Sequence, residues 1–242
     1  LYKNDAAAGA RHYEQALALA PGDLEVVHSA VHFGNRIGRF DATLPLQLYR
    51  VDRDPLCAPC VYRLGRTYWY MRRFDDAVAT YRRYQMLSGG AQQSLGLALL
   101  FGGQPEAALH SFRELDHHLY LRLQGEVLAL HELGEFNAAR DTLRRLESRW
   151  GEQEPMTVAQ THAYLGNTEA AFDWLARLDQ RGRGRLRSDF LDPRFDPLRQ
   201  DPRWDALLAG AGVSTSRLAE IEFAPDLSAF IPATGSPPAA QR

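Results

Sequence analysis

Lysine is almost missing from this chain. Of its 28 Lys and Arg residues, only Lys3 is a lysine; the others are arginines. That excludes chemistry built on a lysine: Walker A phosphate loops, kinase-type phosphate clamps and Schiff bases. Cysteine is scarce too, and the pair Cys57 and Cys60 rules out a disulfide-rich scaffold without fixing the compartment, the cytoplasm being the favoured one. No apolar run nears the roughly 18 residues of a membrane span, and the longest candidate is the short stretch from Leu95 to Phe101. No basic-then-apolar leader opens the chain. There is no GxSxG, no phosphate-cradling glycine loop and no convincing carboxylate pair, so no enzyme class and no cofactor is indicated. A net charge of -2 argues against a dedicated nucleic-acid binder. What remains is an ordinary globular composition, 45% hydrophobic and 24% charged, over 242 residues. The opening at Leu1 reads as a start inside a larger unit, so a fragment or processed chain is expected.

Internal repetition decides the architecture. Ala77, Ala108, Ala139 and Ala171 follow one another at spacings of 31, 31 and 32, and Thr43 lies 34 before Ala77. Gly38, Arg72, Gly103, Gly134 and Gly166 keep the same register, followed by Phe40, Phe74, Pro105, Phe136 and Thr168. Four residues after each alanine comes a large residue: Tyr81, Phe112, Leu143 and Leu175. Each unit reads as a helix, a turn needing positive φ, and a second helix. Asp41, Asp75, Glu106 and Glu169 suit the start of the second helix, where the dipole favours acids. Helix pairs are expected at about 24–53, 58–87, 91–117, 119–149 and 155–181, with 5–19 as the second helix of a truncated first unit. Pro45 should lie in the first turn of its helix or kink it, and Gln47 replaces the large apolar residue of that unit.

The pattern resembles the tetratricopeptide repeat over about residues 5–181, best at Leu64-Gly65, Tyr68, Phe74, Ala77 and Tyr81. The resemblance implies an all-α, right-handed superhelical solenoid of antiparallel helix pairs, about five units plus a partial first one. Residues 182–212 should form an arginine-rich loop and capping helices. Within them three Asp-Pro pairs, from Asp192 to Pro202, suit N-caps, with short helical turns and then a helix at about 202–210. Phe195, Leu198, Trp204 and Leu207 should cover the open end of the solenoid. The stretch 135–212 is also similar to C-terminal modules of bacterial multidomain signalling proteins, which implies a regulatory or dimerisation role beside an upstream effector. Residues 213–242 read as an extended or disordered tail, although Ile221, Phe223, Leu227, Phe230 and Ile231 are of a kind that packs into a groove, in this molecule or a neighbouring copy.

In such solenoids the first helices line a concave, peptide-receiving face. Outward positions there are His28, His32 and Asn35, then Tyr62, Arg66, Trp69 and Tyr70, then Gln93, Gln124 and His131. Aromatics and arginines dominate binding hot spots, which favours the Tyr62, Arg66, Trp69 and Tyr70 patch. Removing Trp69 and Arg66 is expected to weaken binding and leave the fold intact. The lysine of a chaperone-type carboxylate clamp is absent, His28 and His32 standing at the comparable positions of one unit. His28 and His32 share a helical face but lack a third metal ligand, and the HELGE run at His131 lacks the second histidine of a zinc protease. His117 and His118 fit a helix end, where an imidazolium can favour the dipole. Cys57 and Cys60 read as loop or packing cysteines ahead of a redox or metal pair, and Arg181 to Arg187 as a solvated loop. The expected function is a non-catalytic scaffold binding a protein or peptide, with a regulatory or self-assembling module as the alternative.

Overall fold

The computed structural model describes residues 6–116 and 118–230; Lys3, His117, Ile231, Pro232, Pro237 and Pro238 lie outside them, as do the side chains of Arg187 and Ser188. Among the described residues every regular element is helical. The helices are α1 (Ala6–Leu19), α2 (Leu24–Arg36), α3 (Phe40–Arg53), α4 (Ala58–Tyr70), α5 (Phe74–Ser88), α6 (Gln93–Phe101) and α7 (Pro105–Arg113). They continue with α8 (Leu119–Glu132), α9 (Phe136–Trp150), α10 (Pro155–Tyr164), α11 (Thr168–Ala176) and α12 (Gln180–Asp189). A 3-10 helix (Pro193–Leu198), α13 (Pro202–Gly210) and α14 (Thr215–Ala219) complete the set. The five expected pairs are α2–α3 through α10–α11, and the architecture is a TPR-like helical solenoid.

One turn is used five times. Gly38, Gly103, Gly134 and Gly166 have φ between 74° and 76°, and Arg72 has φ 57°. The next amide always reaches five residues back: Arg39 to the Gly34 carbonyl, Arg73 to Tyr68, Gln104 to Leu99, Glu135 to Leu130 and Asn167 to His162, all at 2.8–2.9 Å. This is the left-handed helix stop that satisfies otherwise orphaned carbonyls. The second helix then begins at once and folds back on the first.

The chain divides into two compact units, residues 1–60 with 217–242, and residues 61–216. In the first, Ala10, Leu17, Val27, Val31 and Leu46 form a core with Ile221, Phe223 and Phe230. Phe223 meets Phe33 edge-on at 5.7 Å, and Phe230 meets Tyr49 at 5.2 Å. The Arg39 guanidinium donates to the carbonyls of Leu218, Ala219 and Ile221 at 2.7–3.0 Å. The apolar residues of the tail through Phe230 therefore pack within this molecule. Pro45 is interior to α3 and not in its first turn, while Gln47 is buried.

In the second unit, consecutive helices from α5 to α9 touch in order, as do α10 and α11. Large side chains wedge against glycines. A Cβ on Gly65 would lie 2.6 Å from the Tyr81 ring, and one on Gly96 or Gly125 would lie 2.4 or 2.2 Å from Phe112. The expected arginine-rich loop is instead helix α12. Asp179 caps it by accepting from the Gly182 amide at 2.7 Å, Leu186 is fully buried, and Arg185 pairs with Glu154 at 2.8 Å. A cap and an apolar anchor outweigh the two glycines. His118 immediately precedes α8, at the positive end of a helix. The helix end whose dipole favours a cation is the opposite one, so that expectation is corrected.

Candidate partner-binding face

The ten sequence-selected residues fall into two groups. His28, His32 and Asn35 stand on α2 of the first unit. His28 Nδ1 lies 2.9 Å from Arg50, Asn35 accepts from the Thr43 hydroxyl, and His32 is exposed. The other seven belong to the second unit.

Four of those seven bond to one segment of the same chain, Asp189 to Asp196, and a fifth, Gln93, joins them through Gln124. Arg66 and Tyr70, one helical turn apart on α4, meet at 2.8 Å and both donate to Asp189 Oδ1, at 3.3 and 3.0 Å. The Trp69 indole donates to Asp192 Oδ2 at 3.4 Å. Arg194 clamps Asp192 with two parallel bonds of 2.9 Å and donates to Gln124 Oε1 at 2.9 Å. Gln93 donates to the same Gln124 oxygen at 2.8 Å, and Gln124 donates onward to the Thr157 carbonyl at 2.8 Å. The first helices α4, α6, α8 and α10 are thus joined by one polar network, with the 3-10 helix lying on α10. Beyond it, Arg72 donates to both oxygens of Asp196.

Exposure separates a floor from a rim. Trp69 is 5% exposed and meets Phe74 and Phe101 edge-on at 5.5 and 4.8 Å. Asp192, Arg194, Phe195 and Leu198 are buried as well. At the rim, the side chains of Arg66 and Asp189 are 42% and 29% exposed, and those of Arg72 and Asp196 are 40% and 41% exposed. Burial opposes ionisation of Asp192, yet the Arg194 guanidinium and its hydrogen bonds outweigh that and hold the carboxyl below its usual range. Burial, reinforced by the Asp189 charge, raises the Tyr70 phenol, so it stays protonated and serves as a donor. Burial likewise opposes the Arg66 charge, but Tyr70 and Asp189 outweigh it and keep the guanidinium protonated.

The remaining two stand apart from this network. The Tyr62 ring packs on Tyr81 and Tyr84, its hydroxyl 3.4 Å from Ser94. His131 meets Phe136 edge-on at 5.3 Å in an open cleft of about 260 Å³, with Arg140, Leu143 and Asn167 on its wall.

The polar floor partners Asp192 and Arg194, and the rim groups Arg72, Asp189 and Asp196, are not evident from first-helix spacing. Asp192 reads from sequence as an N-cap, which it is, accepting from the Arg194 amide at 2.9 Å. The same oxygen also accepts from Arg194 Nε, and the second oxygen takes the other guanidinium bond and the Trp69 indole. Burial of Trp69 also corrects the expectation that its removal leaves the fold intact.

Among the described residues no three His, Cys, Asp or Glu side chains cluster to hold a metal. Cys57 and Cys60 are joined by a disulfide, where loop or packing cysteines were expected. Two intervening residues at a helix start bring their Cα atoms to 5.2 Å, within bridging range.

No curated protein matches the chain. The family model of the tetratricopeptide repeat matches residues 58–88, the span of α4 and α5. Helices α4 and α5 thus match a tetratricopeptide repeat and stand in a row of helix pairs that share their turn.

Proposed function

We propose that this chain is a non-catalytic protein-interaction scaffold that takes a carboxylate-bearing segment of a partner along the rim of α4, at Arg66 and Arg72. The repeat at 58–88 points to protein–protein interaction. The single observation behind the finer reading is that both rim arginines already hold carboxylates, Asp189 and Asp196, in half-exposed pairs. Exposed pairs contribute only about 0–1 kcal/mol each. A partner carboxylate can replace such an aspartate at little cost. The floor is different: its buried aspartate and arginine would be left unpaired, so it stays closed by the chain's own segment. Tyr62 and Gln93, both partly exposed, extend the accessible surface of the same unit.

The test is affinity capture from source lysate with residues 1–242 as bait and the Arg66→Ala, Arg72→Ala double variant as control. The expected result is a partner held by the native chain, released as salt rises through a few hundred millimolar, and lost in the variant. A partner retained equally by a folded double variant overturns the rim. Trp69→Ala is not a usable control, because it opens the floor.

A further inference from the structure

We propose that Cys57 and Cys60 are a reversible dithiol–disulfide couple that exchanges with small disulfides of the glutathione class. The two sulfurs are bonded to each other. They are unequal in access: Cys57, just before α4, is partly exposed, whereas Cys60 in the first turn is buried. Cys57 also takes the place of a helix cap. The Cys60 amide donates to the Cys57 carbonyl at 2.9 Å and also reaches its sulfur at 3.2 Å, where a capping serine would place its side-chain oxygen. The first turn of α4 carries no acidic residue. The Cys57 sulfur therefore sits at the positive end of the helix with an amide aimed at it, a setting that suits an attacking sulfur.

The competing roles are weaker. A structural staple gains most by closing a long loop, and this one closes the short loop from Cys57 to Cys60. A structural zinc needs four ligands, and no third ligand joins the pair among the described residues.

The exchange balances with a glutathione-class disulfide as oxidant. The Cys57 thiolate attacks one sulfur of that disulfide; a Cys57–glutathione bond forms, the disulfide bond breaks, and one glutathione thiolate leaves. The Cys60 thiolate then attacks Cys57 Sγ, forming the internal bond and releasing the second glutathione thiolate. The chain loses two electrons and two protons; the disulfide gains both electrons, and the protons go to the two leaving thiolates. Reduction runs the same steps backwards, entering at the accessible Cys57 sulfur.

The experiment uses the full chain under native conditions. The chain is equilibrated with graded ratios of reduced to oxidised glutathione, quenched in acid, alkylated and weighed by mass spectrometry. The expected result is a single reversible transition in which both thiols appear and vanish together. In parallel, Cys60→Ser is expected to take up one glutathione about tenfold faster than Cys57→Ser. A native chain that resists reduction until it is denatured overturns the proposal, with no substitution involved. Equal uptake by the two variants, or faster uptake by Cys57→Ser, overturns the assignment of Cys57 as the entry sulfur.

Discussion

Arg72 occupies a turn position filled by glycine in four equivalent turns, with φ 57°. A side chain in that region costs about 1–2 kcal/mol. The residue is held by its bonds to Asp196 and to the Tyr70 carbonyl. Arg72→Gly should relieve the strain and lose a half-exposed ion pair, changing stability by less than about 1 kcal/mol in urea unfolding. On the proposed function it should still weaken partner binding, so stability and binding part at this residue. Trp69→Ala is the opposite case. It empties a buried site and should cost about 3–5 kcal/mol, read as a lower urea midpoint. Asp192 contributes to the acid limb. Its folded carboxyl is depressed below the unfolded value of about 3.9. Its contribution is therefore present above that value and lost as pH falls through the depressed one. Urea midpoints measured from pH 7 down to 2 should show an acid fall that is shallower in Asp192→Asn, which starts from a lower midpoint at pH 7.

At the scale of elements, the helix pairs were legible because their signals are local. The five turns need positive φ, and four of them use the residue that permits it most easily. Gly65 was legible as part of the repeat, Gly96 and Gly125 were not; what the three share is a ring pressed against each, Tyr81 or Phe112. Phe112 is fully buried and cannot swing aside. Gly125→Ala should therefore overpack the α7–α8 contact and cost about 1–3 kcal/mol by thermal or urea unfolding. Helix α12 was misread because two glycines and a run of arginines look like a loop. The Asp179 cap and the burial of Leu186 decide otherwise, and the burial is a tertiary fact. That Arg66, Trp69, Tyr70, Gln93 and Gln124 share first-helix positions was legible, and one polar network joins them. What meets them there was not legible, because Asp192 signals only a local cap while its second oxygen reaches Trp69, 123 residues away.

At the scale of the whole molecule, each compact unit is completed by chain from far along the sequence. In the first, Ile221, Phe223 and Phe230 finish a core begun by α1, α2 and α3, and Arg39 ties down carbonyls some 180 residues later. Phe223→Ala should remove about 3–5 kcal/mol from that unit. Amide exchange in α1–α3 should quicken accordingly. Sequence alone determined the helical pairs, the left-handed turns between them and the tetratricopeptide character of 58–88, since periodicity, caps and positive-φ positions act over one or two turns. Only the tertiary structure decided that the first-helix floor is closed by Asp192 and Arg194 and that the rim arginines pair with Asp189 and Asp196. The physical reason is that these contacts join residues about 70 to 124 apart, where no local spacing rule selects a partner and only burial, charge balance and hydrogen-bond geometry do.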